Sequence, residues 1–411
     1  MSLQATHHWV TVWTASAQGA YPVGSAIAQP DLHLAIPSHE IGLVNQSFRM
    51  IFKPALWSNT IRVRISNVFG NKALRLRDLK LGKHLGGGAM AAETCSQIKD
   101  MDIEAGTHLW THAIELADFK ATSSSQDFAC SFVLSGWVEG ESGPITWHAK
   151  AMASSYLSMP NTRIDQNDSS ELNFPFSTTS LFFVDAVDAA LTNDHHALVA
   201  FGDSLTDGTS TTLNGFDRWS DVLQRLLWAH GHKEMAILNA GIGGNQILRP
   251  LSIHEAWRGG PAAIERLDRD VLGLSAVRTV IWLEGINDFS DNGNADVEEV
   301  QSAMRSVVQR FKVAGIRVIG VTLPSAFQST RQGHGSHLQN EKRKALNQFI
   351  LSSGLFDAVV DIDKALTDPE TGCLEALFDF DSTMGELGDG LHPNRAGHAA
   401  IAKEVFKVLK P

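Results

Sequence analysis

Ala197-Leu-Val-Ala-Phe-Gly-Asp-Ser-Leu-Thr-Asp-Gly208 decides the reading of this chain. The apolar run from Ala197 to Phe201 predicts a short buried strand, and Gly202-Asp203-Ser204 sets a hydroxyl just past its carboxyl end. In an open α/β sheet that end is where ligands and reacting groups gather. A serine hydroxyl is a weak nucleophile by itself. It needs a base, a group to orient the base, and donors for an oxyanion.

Downstream of this stretch the pattern repeats as strand, glycine-rich loop and helix. Strands are predicted at 197–201, 235–239, 278–283, 316–323 and 357–361, and helices at 219–229, 261–272, 295–314, 340–352 and 394–409. In 295–314, Val297, Val300, Met304, Val307, Val308 and Phe311 form one apolar stripe, and Gly315 closes it. Such alternation implies a parallel, three-layer α/β sheet. Upstream the pattern is β. Residues 60–66 put Ile61, Val63 and Ile65 on one face and Arg62, Arg64 and Ser66 on the other, and Leu74-Arg-Leu76-Arg continues the alternation after a turn at Asn67–Asn71. Further strands are expected near 46–53, 107–116, 128–138 and 180–185. The expectation is an all-β sandwich or jelly-roll-like domain over 1–190 and an α/β domain over 195–411, with a short linker near Val187–Asp194.

The bulk properties narrow the class. A chain of 411 residues exceeds the usual single domain, and 43% apolar content supplies full cores. The net charge of −11, with no basic block to offset it, argues against nucleic acid as a partner. No stretch approaches a transmembrane span. Three scattered cysteines, Cys95, Cys130 and Cys373, give no disulfide framework. No secretion signal is visible at the N-terminus, so a cytoplasmic location is expected for the chain as sequenced, or a secreted or periplasmic one if a leader was removed.

Three other loops carry chemistry. Gly388-Asp389-Gly-Leu-His392-Pro-Asn394 places Asp and His three apart in a Gly-bounded turn. There the carboxylate can accept the imidazole Nδ1–H and leave Nε2 free to take a serine proton. Asn239-Ala-Gly241-Ile-Gly243-Gly244-Asn245 and Glu284-Gly285-Ile-Asn287-Asp288 each follow a predicted strand. Glycine there lets a backbone N–H approach a ligand, and an asparagine amide is a neutral donor to an oxyanion.

Taken in order, these blocks resemble the four signature blocks of the SGNH hydrolases, a branch of the GDSL esterases, over residues 197–410. The resemblance implies an SGNH-type (flavodoxin-like) sheet, with Ser204 as nucleophile, His392 as general base and Asp389 as its orienter. It implies an oxyanion hole from the Ser204 and Gly244 N–H groups and the Asn287 side chain. Gly241 and Gly243 crowd the same loop, so the choice of Gly244 rests on aligning Asn239-Ala-x-x-x-Gly with the second block. No cofactor and no metal are implied. Arg218-Trp219-x-Asp221 and Leu267-Asp-Arg-Asp270-Val-Leu, after a β domain, look like a two-domain acetyl xylan esterase-type or lysophospholipase-like subgroup, although that subgroup usually has proline where Ser220 stands.

Competing motifs are incomplete. Thr206 occupies the second glycine position of a Gly-x-Ser-x-Gly elbow. Gly241-Ile-Gly243-Gly-Asn-Gln246 lacks the third glycine of a dinucleotide fingerprint. Neither His39-Glu40 nor His254-Glu255 has a second histidine at zinc-site spacing, and Asp288, Asp291 and Asp296 are misordered for a calcium loop. Trp219 and Trp257 flank the loops as candidates for substrate contact. The resemblance implies hydrolysis of short acyl esters, acetyl above all, on a small molecule or oligosaccharide. A lysophospholipase or thioesterase is the enzymatic alternative, and an inactive carbohydrate-binding protein the alternative of another class. The sequence leaves the oligomeric state open.

Overall fold

The computed structural model describes residues 7–116, 130–165, 168–381 and 387–409. The chain divides into two compact units, Met1–His195 and His196–Pro411.

In the first unit, one sheet runs in the order His7–Thr14, Val184–Thr192, Thr60–Ser66 and Ile114–Glu115, with His108–Trp110 also paired to Thr60–Ser66. A larger sheet is centred on Val44–Phe52, Phe132–Glu141 and Leu74–Gly86, all antiparallel. A small third sheet joins Gly19–Ala20, Thr146–His148 and Leu181–Phe182. Residues 128 and 129 of the expected 128–138 strand lie outside the described residues.

Alternation places Ile61, Val63 and Ile65 in the core. The opposite face is covered rather than bathed in water. Arg62 Nη2 lies 2.7 Å from Asp188 Oδ2, and Arg64 Nε lies 2.6 Å from Asp185 Oδ1. The Arg62 guanidinium sits 4.5 Å from the ring centre of Trp9 and 4.4 Å from that of Trp110. Val187–Thr192, expected within a linker, is instead part of a central strand of this sheet. Asp188 sits directly opposite Arg62 in the register, so the segment's one charge has a cross-strand partner that a local reading does not reveal.

The second unit holds five parallel strands: β1 (His196–Gly202), β2 (Met235–Gly241), β3 (Val277–Leu283), β4 (Arg317–Val321) and β5 (Ala358–Val360). Their order in the sheet is β2-β1-β3-β4-β5, with the switch in winding direction at β1 and β3. Gly202 pairs with Gly241 on one side and Leu283 on the other, so β1, β2 and β3 end at the same level. The loops after them therefore emerge side by side.

Helices α1 (Ser204–Asp207), α2 (Trp219–Ala229), α3 (Ala263–Leu267), α4 (Val297–Val313), α5 (His337–Ser352), α6 (Asp363–Leu366), α7 (Ala376–Asp379) and α8 (Arg395–Leu409) complete the unit. A single π turn, Asp268–Leu272, extends α3 where one long helix was expected. Helix α4 buries Val300, Met304, Val307, Val308 and Phe311, the apolar stripe read from its period. Helix α5 starts three residues earlier than expected because Ser336 and Gln339 form a capping box. Helix α2 packs on α8 and β2, and α4 packs on α5 and β4.

Candidate active site

Close approach of β1 to β3 explains the glycine before the serine: a Cβ on Gly202 would lie 2.2 Å from the Leu283 carbonyl oxygen. Asp203 then caps α1, its Oδ1 accepting from the Leu205 N–H at 2.9 Å. Ser204 is the first residue of that four-residue helix, so its N–H has no acceptor within the helix. Asn239 on β2 fastens the turn, its Nδ2 donating to the Thr206 carbonyl at 2.6 Å and to Ser220 Oγ at 2.9 Å. Ser220 thus makes a bond that proline at this position could not.

Far along the sequence from Ser204, the Asp389–His392 turn curls on itself. Asp389 Oδ1 accepts from the N–H groups of His392 (2.8 Å) and Leu391 (3.0 Å), and Asp389 Oδ2 lies 2.7 Å from His392 Nδ1. His392 Nε2 lies 2.9 Å from Ser204 Oγ. Burial works to raise the Asp389 carboxyl, but the hydrogen bond and charge of His392, with the two backbone donors, hold it well below the usual carboxylate range. A carboxylate that stays ionised fixes the imidazole with Nδ1–H toward it and the Nε2 lone pair toward the serine. The structure thus joins residues 204, 389 and 392 in one hydrogen-bonded line across 188 positions of sequence.

The glycine loop resolves by its hydrogen bonds. The Gly241 N–H donates to Asn239 Oδ1 at 3.0 Å and the Gly243 N–H to Asp207 Oδ2 at 2.8 Å. Ile242 to Asn245 form a β-turn closed by Asn245 N–H on the Ile242 carbonyl at 3.1 Å, and Gly244 takes its third position with φ +81°. That position of a type II turn requires positive φ, hence glycine. Among the described residues the Gly244 N–H has no intramolecular acceptor. Asn287 reaches the same turn: its Nδ2 donates to the Asn245 carbonyl at 3.0 Å. One amide hydrogen is used there and the other is left over.

Beneath the site lies a group of buried charges that sequence reasoning did not assemble. Arg266, fully buried, donates from Nε to Asn245 Oδ1 (2.8 Å), from Nη1 to the Ala240 carbonyl (2.8 Å) and Asp270 Oδ2 (3.1 Å), and from Nη2 to the Gly202 carbonyl (2.8 Å). It stacks 4.1 Å from the Phe201 ring centre. One guanidinium therefore ties the ends of β1 and β2 to the glycine loop. Burial opposes the charge on Asp270, but Arg269 and Arg266 outweigh it and bring its pKa down to about 2. Burial, with Glu284 nearby, drives Asp203 well above its ordinary value. Burial raises Glu284 too, against the pull of Arg266, and pushes Asp288 up to about 7. Asp288 accepts from the N–H groups of Ile247 (2.9 Å) and Leu248 (3.1 Å), which holds the loop after Gly244.

Two expectations fall away or narrow. Trp219 is fully buried, with its backbone N–H bonded to His398 Nδ1 at 3.1 Å, so it is a core residue and not a substrate contact. Trp257 is half-buried in the loop after β2. Among the described residues, no group of three or more His, Cys, Asp or Glu side chains could hold a metal ion, and no helix is long and apolar enough to cross a membrane.

Residues 200–400 match the GDSL-like Lipase/Acylhydrolase family, and that match makes the chain a carboxylic ester hydrolase. Among curated proteins none matches the chain. Solved structures similar to it include a lipase/acylhydrolase from Enterococcus faecalis, 22% identical over 52% of this chain and 94% of that one, with a TM-score of 0.39. A GDSL-like lipase from Bacteroides thetaiotaomicron is 19% identical over 51% of this chain and 86% of its own, with a TM-score of 0.37. The acetyl xylan esterase AlAXEase is 19% identical over 51% of this chain and 98% of its own, with a TM-score of 0.38.

Proposed function

We propose that this chain is a serine esterase that cleaves short acyl esters, acetyl groups on carbohydrate above all, through an acyl-enzyme. One observation carries the reading: Ser204 Oγ lies 2.9 Å from His392 Nε2, whose Nδ1 lies 2.7 Å from Asp389 Oδ2. Ser204 attacks the ester carbonyl as His392 Nε2 takes its proton, and Asp389 stabilises the imidazolium that forms. The tetrahedral oxygen accepts from the Ser204 and Gly244 N–H groups and from the second N–H of Asn287. His392 returns the proton to the leaving alcohol. It then draws one from water, which attacks the acyl-serine, and hands that proton to Ser204 Oγ as the acid departs and the free serine is restored.

The commitment of the Gly241 and Gly243 N–H groups to Asn239 and Asp207 supports Gly244 as the backbone donor from this loop. The choice of carbohydrate rests on the resemblance of Arg218-Trp219-x-Asp221, behind a β domain, to the acetyl xylan esterase-type subgroup. We read the second unit as a three-layer sheet, with α2 and α8 on one face and α4 and α5 on the other, and the first unit as a β-sandwich domain.

The test is a substrate series on the full chain: acetylated xylo-oligosaccharides, p-nitrophenyl esters of rising acyl length, and lysolipids. The reading expects kcat/KM to fall as the acyl chain lengthens and acetylated sugar to be turned over. A preference for lysolipid over acetyl esters would replace it with the lysophospholipase alternative. No turnover of any ester would leave a binding protein.

A further inference from the structure

We propose that His334 is a positioning residue that fixes which way the Asn287 amide faces, an inference that rests on the esterase reading above. Asn287 is 5% exposed, and both atoms of its amide are engaged. On one side is the Asn245 carbonyl, 3.0 Å away, which can only accept, so the amide atom facing it is Nδ2. The other amide atom is then Oδ1, and His334 Nε2 lies 3.2 Å from it. An acceptor facing a ring nitrogen calls for hydrogen on that nitrogen. Nδ1 faces one too, the Gln332 carbonyl at 3.4 Å, and a neutral ring can donate to only one of the two, so we assign the hydrogen to Nε2, the closer contact. Burial lowers the pKa of His334 against the raising effect of the Gln332 carbonyl, with the charges of His392 and Arg331 adding to burial, which favours a neutral ring with a single N–H.

The consequence is chemical. A side-chain amide turned over by 180° would present an oxygen where the oxyanion forms and would repel it. Asn245 and His334, one acceptor and one donor, together allow a single orientation, with the spare N–H left for the substrate oxygen.

The segment that carries His334 is fastened to both halves of the site. Ser329 Oγ and the Thr330 N–H donate to the Asp389 carbonyl at 2.6 and 3.0 Å. The Gly333 carbonyl accepts from the Asp291 N–H at 3.0 Å and from Gln339 Nε2 at 2.9 Å, which sets it beside the turn after β3. The Gln328 N–H bonds the Gly335 carbonyl at 2.9 Å and closes the segment on itself. One strap thus holds the Asp389 turn and the Asn287 turn and delivers the His334 ring between its anchor points.

The experiment uses the full chain with His334→Phe, His334→Gln, Asn287→Ala and the double variant Asn287→Ala/His334→Phe, assayed on p-nitrophenyl acetate. His334→Phe is expected to lower kcat about tenfold with KM little changed, a size typical of coupling between contacting groups. His334→Gln, whose Nε2 can still donate, should recover most of the loss. In the Asn287→Ala background His334→Phe should cost almost nothing, because its effect passes through the missing amide. Additive losses in the double variant, or a change confined to KM, would overturn the proposal. Independently of turnover, ¹⁵N shifts of the His334 ring, assigned by their loss in His334→Gln, should show a neutral Nε2–H tautomer. A ring protonated at Nδ1 alone would overturn it as well. A Ser204→Ala variant that stays active would remove the reading beneath the proposal, and so is told apart from failure of His334 alone.

Discussion

Replacing Asn287 by alanine removes two things at once, and their sizes differ enough to be separated. The amide donates one N–H to the Asn245 carbonyl at 3.0 Å, inside a site where both residues are buried. Losing that bond and stranding the carbonyl should cost about 1–3 kcal/mol of stability. The second N–H is the one assigned to the oxyanion, and removal of such a donor costs about 2.7–4 kcal/mol in the transition state, or roughly 10²–10³ in kcat. The Gly244 and Ser204 N–H groups remain, so some turnover should survive. Steady-state kinetics on p-nitrophenyl acetate give kcat and KM, and urea unfolding of the same samples gives the stability loss. The account expects a large fall in kcat, a KM within a few-fold of the parent, and a folded protein at assay temperature. A rise in KM with kcat intact would make Asn287 a binding residue and place the oxyanion hole elsewhere.

Asp389→Asn should keep the turn, because its side-chain oxygen can still accept from the Leu391 and His392 N–H groups, yet lower kcat about 10⁴-fold by favouring the wrong imidazole tautomer; kcat within tenfold of the parent would count against the role given to Asp389. Arg266→Met should destabilise the second unit by about 3–5 kcal/mol, read by urea unfolding, because Asp270 would lose a buried partner and the ends of β1 and β2 their shared clamp. His398 gives a pH dependence of stability. Burial lowers its pKa from 6.5 to about 4, so between those values the unfolded chain binds a proton that the folded chain refuses. Stability should therefore rise with pH across that window and fall by about 3 kcal/mol as pH drops through it. His398→Gln should flatten the slope in urea unfolding from pH 4 to 7, and an unchanged slope would show that another group carries it.

Much of the candidate site was legible because its residues sit in short contiguous blocks, three of them directly after β1, β2 and β3. Gly202-Asp203-Ser204 and Asp389-x-x-His392 each carry their geometry locally, in a capped first turn and in a turn that folds its own carboxylate onto its own imidazole. The supporting residues left no such trace. Arg266 meets Gly202 from 64 positions away, and His334 meets Asn287 from 47. Their partners are mostly carbonyl and amide groups, which every stretch of chain possesses. Trp219 was misread because a tryptophan beside a candidate catalytic loop looks the same in sequence whether it faces the substrate or, as here, is fully buried. Val187–Thr192 was misread as linker because the partner of its one charge, Arg62 opposite Asp188, lies 126 positions away in the sequence.

The central claim is that Ser204 Oγ is the nucleophile. Reaction of the full chain with diisopropyl fluorophosphate, followed by intact mass and peptide mapping, tests it without knowledge of the natural substrate. The account predicts one adduct per chain, on the peptide containing Ser204, formed together with complete loss of ester hydrolysis and absent from folded Ser204→Ala. Labelling at another residue, or full activity in Ser204→Ala, would contradict it.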